Sequence, residues 1–231
     1  DTEHETLTMM RSPVDGLFLP LAYINGGGLC IRWFRDTLSG KPAASYDELE
    51  KEAETVGPGS EGLFFIPHFS GRALPVNTNL KGAWLGLDFR HTCGHMYRAV
   101  MESIAYEYRY YLSVLRSLYP DDSFGSMVTI GGGAKSALFN QIKADVLGIG
   151  VTVFETGDTA LLGSAVIAAC GVGLLSDYRQ PIRRVMKKRA EFAPDTDRHD
   201  VYGFYADAYL KAIGQLTPFY DEVASDAASR P

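Results

Sequence analysis

Two hydrophobic periods run along the chain, and the switches between them mark its elements. Residues 16–24 (Gly-Leu-Phe-Leu-Pro-Leu-Ala-Tyr-Ile) form an apolar, strand-like run. Gly26, Gly27 and Gly28 separate it from a helix-period segment, LCIRWFRDTLSG. A second helix is expected over 45–55, with Ser45 as N-cap and Glu48 three positions on to complete a capping box. The loop GPGSEG at 57–62 leads to two short strands, LFFIPHF and AWLGLDF. The longest helix covers 92–119. There Met96, Val100, Ile104, Tyr108, Tyr111, Leu115 and Leu118 recur at steps of three and four as one broad apolar stripe, and Pro120 stops it. Strand 126–130, a triple glycine, helix 136–147, strand 151–155 and helix 160–170 follow, then a last helix over 200–213 that can extend to 224. This βαβα alternation argues for a sheet layered with helices. No internal repeat or low-complexity segment interrupts it.

Composition narrows the picture. A chain of 231 residues that is 46% hydrophobic and 22% charged can bury one sizeable core or two small lobes. A formal net charge of −6 speaks against general nucleic-acid binding, which needs clustered Lys and Arg. The one basic run, Arg183-Arg184-Val185-Met186-Lys187-Lys188-Arg189, reads as a solvated face. Cys30, Cys93 and Cys170 are far apart and without C-x-x-C spacing, which suits reduced, packed thiols and a cytoplasmic setting. No apolar run approaches the ~18–20 residues of a membrane span, and no secretory segment opens the chain. The first residue is Asp1 and the opening reads like the middle of a protein, so a fragment is expected.

The segment VTIGGGAKSALFNQIKADVLG, residues 128–148, carries the candidate chemistry. A strand that ends in bare glycine backbone and turns directly into a helix lets a ligand touch main-chain N–H groups, and the helix N-terminus favours an anion. A tight turn that binds nothing explains the same residues equally well. The named phosphate motifs do not fit: a G-x-G-x-x-G count from Gly131 ends on Ser136, and Ala134 rather than Gly precedes Lys135.

A longer pattern is more specific. Gly82-Ala-Trp-Leu-Gly86-Leu87, seven residues, then His95-Met96-Tyr-Arg-Ala99-Val100-Met101-Glu102 resembles the C-terminal signature of the FGGY carbohydrate kinases, most of all the xylulokinase-type members. IGGGAKSALFNQIKADVLG is similar to that family's adenosine-binding turn and helix, and TALLGSAVIAACGVG to the helix that follows. NGGGLCIRWFRD and FAPDTDRHDVYGFYADAY are similar to its flanking segments, so the resemblance covers about residues 15–215.

The resemblance implies an α/β fold of the actin-like ATPase, ribonuclease-H-like kind: a mixed sheet with helices on both faces. The chain is then a single C-terminal, nucleotide-binding lobe over 1–231, with an irregular start at 1–15 and a helical tail at 200–231. Its partner would be an N-terminal kinase lobe that carries most sugar contacts and the catalytic aspartate; no catalytic residue and no metal ligand is assigned to this chain. ATP or ADP with Mg²⁺, and a small sugar or polyol, are the implied ligands; nothing in the sequence excludes a homodimer. Gly132, Gly133, Ala134 and Ser136 should line the adenosine pocket, with Gly28 and Arg32 flanking it. Without the base, residues 1–231 alone should show no sugar-kinase turnover. A non-catalytic nucleotide-binding or regulatory actin-fold module remains the alternative.

Other residues have structural readings. His91, Cys93 and His95 are split across a helix cap, so HTCGH reads as a helix entry rather than a zinc site. Glu102 reads as structural, Asp145 and Asp158 as helix-surface or capping residues, and Tyr106, Tyr108, Tyr110 and Tyr111 as packing or a lobe interface. A xylulose-like ketose is the favoured substrate. The family usually reads S-G-E-R-x-P where Arg72 here follows Gly71, and glycerol, ribulose, gluconate, fuculose and erythritol stay open.

Overall fold

A 26-residue helix, α3 (Cys93–Leu118), is the axis on which the molecule is built. The computed structural model describes residues 4–40, 44–155 and 158–230; residues 1–3 of the expected irregular start and Pro231 of the expected tail lie outside them. The order is β1 (Thr8–Arg11), β2 (Phe18–Leu21), α1 (Gly27–Trp33), α2 (Tyr46–Glu54), β3 (Phe64–Ile66), β4 (Ala83–Leu85), α3, β5 (Ser126–Thr129), α4 (Ala137–Leu147), β6 (Gly150–Phe154), α5 (Thr159–Gly171), α6 (Arg179–Val185), β7 (Lys188–Phe192) and α7 (Thr196–Ser229). The strands form an antiparallel β1–β2 hairpin, an antiparallel β3–β4 pair and a mixed sheet in the order β5–β6–β7, parallel then antiparallel.

Local signals placed most boundaries. Ser45 caps α2 as expected: its hydroxyl accepts from Glu48 N at 3.2 Å while the Glu48 carboxylate accepts from Ser45 N at 2.9 Å. Thr92 caps α3 by the same reciprocal arrangement with His95. Three expectations needed revision. The strand over 16–24 shrinks to four residues, and its partner β1 lies inside the stretch expected to be irregular; TMMR is too short to show a period. The helix α6 and strand β7 were not anticipated, because the basic run supplies β7 with the charged, solvent-facing residues typical of a sheet edge. That run is solvent-exposed, as expected. Finally, α7 begins at Thr196, capped by Asp195, before the expected start at 200, and runs past 224 to Ser229. Tyr202, Ala206, Tyr209 and Ile213 recur at steps of four, three and four and are buried in the core.

The stripe expected on α3 is also too narrow a description. Every residue from Tyr97 to Glu107 is buried, because α1, α2, β3, α4 and α7 surround the helix. Gly94 allows a close approach of α2: a Cβ there would stand 2.6 Å from the Glu52 carbonyl. Full burial leaves two carboxylates on α3 away from water, and each is fully engaged. Glu102 accepts from Gly59 N (3.0 Å), Ser60 Oγ (2.8 Å), Arg98 Nε (2.8 Å) and Tyr202 OH (2.8 Å). Glu107 accepts from His68 Nε2 (3.2 Å), Arg72 NH2 (3.2 Å) and Tyr209 OH (2.9 Å).

Burial alone would raise the Glu107 carboxyl, but His68, Arg72 and Tyr209 outweigh it and hold it below its ordinary value. A carboxylate depressed by folding contributes stability above the unfolded pKa of ~4.3, and that stability is lost as pH falls through the lower folded value. The melting temperature should therefore drop steeply below about pH 4. Glu107→Gln, less stable at neutral pH, should show a shallower acid dependence between pH 6 and 3 in thermal melts. Parallel acid profiles would mean that other carboxylates carry the effect.

Candidate functional site

The triple glycine sits where β5 leaves the sheet. Gly131 has φ +75° and ψ −159°, a conformation almost restricted to glycine. A single 3₁₀ turn, Gly132–Lys135, follows. Ser136 is then extended and caps α4, accepting from Phe139 N at 3.0 Å, so the helix starts one residue after the expected position. Gly131 and Gly132 are exposed, and a Cβ on either would meet nothing within 4 Å. Gly133 is half-buried; its Cβ would stand 3.3 Å from the Phe139 ring, and Ala134 is buried. The first two glycines thus present bare backbone to open space, and the third fits against α4.

What holds the turn was not visible in the sequence. Buried Asn140 donates from Nδ2 to the Ala134 carbonyl (2.9 Å), and its Oδ1 accepts from Thr129 Oγ1 (3.0 Å) and Lys143 Nζ (3.1 Å). One amide therefore ties the end of β5, the turn and the body of α4 together. Lys143 is buried, lies over the Phe139 ring at 4.0 Å, and is lowered by burial to about 8. From α2, Glu50 accepts a hydrogen bond from the Ser136 hydroxyl; burial raises its carboxyl, partly offset by that bond. Asn140 and Lys143 lie four and seven residues beyond Ser136, on one helical face, a spacing that any polar face of a helix shows and that did not single them out. Glu50 carried no signal, since only the tertiary fold brings α2 to the cap.

Gly28 and Arg32 lie apart from the turn in sequence, in the first two turns of α1, and both are exposed. Arg32 makes no ion pair among the described residues. Beneath them Cys30 is buried, its thiol donating to the Pro67 carbonyl, and burial pushes it up to about 11. Cys30, Cys93 and Cys170 are not joined by disulfides.

The remaining candidates have structural roles. Each His ring of HTCGH uses Nδ1 to accept from a backbone amide, Asp88 N for His91 (3.0 Å) and Thr92 N for His95 (3.3 Å). Their Nε2 atoms therefore carry the proton and offer no lone pair to a metal. Among the described residues no three His, Cys, Asp or Glu side chains stand together as a metal site. Asp158 caps α5, accepting from Leu161 N at 3.0 Å. Asp145 is not on the helix surface: it is buried and joins α4 to α7, accepting from Asp195 N (2.9 Å) and Arg198 Nε (2.7 Å). Tyr106 packs on Tyr202 and Tyr209 in the core. A crevice of about 330 Å³ runs between the end of α2 and α4. Of its charged lining, Arg98, Asp145 and Arg198 are engaged in the ion pairs Arg98–Glu102 and Arg198–Asp145, and Glu54 lines it as well.

No helix among the described residues is long and apolar enough to cross a membrane. The model of the FGGY family of carbohydrate kinases, C-terminal domain, matches residues 4–172. A xylulose kinase of Staphylococcus epidermidis is 26% identical over 215 residues, covering 91% of this chain and 42% of the relative. A glycerol kinase of Saccharolobus islandicus is 32% identical over 191 residues, covering 81% and 37%. The chain thus spans about 40% of the length of these relatives. Among solved structures, xylulose kinase from Rhodospirillum rubrum superposes with a TM-score of 0.78 at 25% identity, over 93% of this chain and 43% of that one. Plasmodium falciparum glycerol kinase with ADP gives 0.72 at 19% identity, over 90% and 41%. The fold is that of the FGGY kinases, and the chain belongs to the FGGY family of carbohydrate kinases, of which it carries the C-terminal domain.

Proposed function

We propose that this chain forms the nucleotide-binding lobe of an ATP-dependent kinase that phosphorylates a hydroxyl of a sugar or polyol. The observation that carries the reading is the open glycine turn, Gly131–Gly132, running directly into the capped N-terminus of α4. Bare backbone with no Cβ contact within 4 Å suits a flat adenosine laid against it, and the helix N-terminus favours the attached anion. Gly132, Gly133, Ala134 and Ser136 would line the adenosine side, and Gly28 and Arg32 would flank it from α1. The fit differs from residue to residue. Gly132 offers open backbone, Gly133 and Ala134 shape the floor, and the Ser136 hydroxyl is already engaged by Phe139 N and Glu50.

ATP would supply the phosphoryl group, and Mg²⁺ would arrive on its phosphates, since the described residues gather no cation-binding cluster. The base that takes the acceptor proton is assigned to an N-terminal lobe. Exposed apolar side chains on α5 and β5 support a second lobe. The helix α5 buries only Val166 and leaves Leu161 and Ile167 exposed, as β5 leaves Val128. Xylulose is the favoured acceptor because xylulose kinases recur among the relatives; Arg72, drawn into the core by Glu107, is unavailable to a sugar.

Calorimetric titration of the chain with Mg·ADP is the test. Saturable one-to-one binding is expected, with no sugar phosphorylation by the purified chain alone. Absence of binding by a chain shown to be folded by circular dichroism would overturn the reading.

A further inference from the structure

A cation lies buried behind the glycine turn, and among the described residues no anion balances it. The Lys143 side chain is 4% exposed, and its ammonium would stand 3.9 Å from a Cβ on Gly133. Its hydrogen-bond acceptor is the neutral Asn140 Oδ1, and its other neighbour is the face of Phe139. Among the described residues no carboxylate lies within ion-pair distance. Glu50, which reaches the turn from α2, is engaged with Ser136 instead. Helical side chains lean toward the helix N-terminus, so this charge adds to the partial positive charge of the first turn of α4 rather than opposing it. Burying an unpaired cation beside a like partial charge is costly, and burial has indeed lowered the amine to about 8. An anion seated at the turn would relieve that cost.

Resting on the nucleotide reading of the turn, we propose that Lys143 is its positioning residue. Asn140 makes its own bonds to Thr129 and Ala134, so what Lys143 adds at the turn is its charge. That charge makes the turn prefer an adenine nucleotide with phosphates over the uncharged nucleoside. The ligand class is a nucleoside diphosphate or triphosphate, and Lys143 acts on it from behind the backbone, without direct contact.

The test is a set of calorimetric titrations with Mg·ADP and with adenosine, run on the unmodified chain, Lys143→Met and Lys143→Arg, at low ionic strength, where charge effects are least screened. Methionine keeps the apolar stem, so the packing on Phe139 survives while the charge goes. Lys143→Met should lose about tenfold in ADP affinity and keep adenosine affinity within about twofold, and Lys143→Arg should recover most of the ADP binding. A merely structural lysine would move both ligands together, so equal losses, or no loss of either, would overturn the proposal. If the unmodified chain binds ADP while Lys143→Met binds it equally well, the nucleotide reading stands and the role of Lys143 falls. If the unmodified, folded chain binds neither ligand, the nucleotide reading falls and this inference with it.

Discussion

Replacing Glu102 with alanine should cost about 3–5 kcal/mol, a large part of the ~5–15 kcal/mol that holds a domain folded. The carboxylate is 1% exposed and accepts four hydrogen bonds from three segments: the 59–60 loop, its own helix through Arg98, and Tyr202 on α7. Removing it costs Arg98, buried on the same helix, its Nε bond to a carboxylate. It also releases the loop. Ser60 and Glu61 sit at φ 49° and 54°, a left-handed conformation that side chains tolerate only when the surroundings enforce it, and Glu102 does the enforcing at Gly59 N and Ser60 Oγ. Denaturant unfolding of Glu102→Ala beside Glu102→Gln measures the effect, with the glutamine variant keeping the shape and losing the charge. A Glu102→Ala chain that melts like the parent yet loses ADP binding would contradict the structural role and make Glu102 part of the site.

Gly132→Val should have the opposite signature: stability within about 0.5 kcal/mol of the parent and ADP affinity reduced about a hundredfold, which is about 2.8 kcal/mol. Gly132 is not in the left-handed region and its added Cβ meets no protein atom within 4 Å, so the fold has no reason to object. The new side chain would instead occupy the space above the turn where the ligand is placed. Gly133→Val is the less clean variant, since its Cβ would press on the Phe139 ring at 3.3 Å and reach toward Lys143. It should disturb α4 as well as binding. Titration and thermal melting on the same preparations separate the two effects; unchanged ADP affinity in Gly132→Val would take the turn out of the site.

The candidate site was legible in the sequence as far as its backbone. Three glycines between a β-branched run and a helix pattern announce a turn that needs positive φ, and Gly131 has it. The side chains that fix the turn were not legible. Asn140 and Lys143 read as ordinary polar positions of an amphipathic helix, yet α4 is covered by α3 on one side and by α7 on another, and both residues are buried. Asp145 misled for the same reason: its partner Arg198 lies 53 residues on, across α7. The departure at Arg72 could be read only as a departure until the fold placed Glu107 beside it.

Local signals in the sequence placed the capped helices and the glycine turn, but not the short strands β1 and β7 or the helix α6. The placements rest on caps, glycines, prolines and periodicity within a few residues, as at Ser45–Glu48, Asp158 and Pro120. Which polar residues are buried, which charges are paired, and that Lys143 has no carboxylate within ion-pair distance among the described residues were settled by packing alone. Burial and pairing are sums over segments distant in the chain: α3 becomes a fully buried helix because five elements close on it, and a charge gains or loses its partner only when they do.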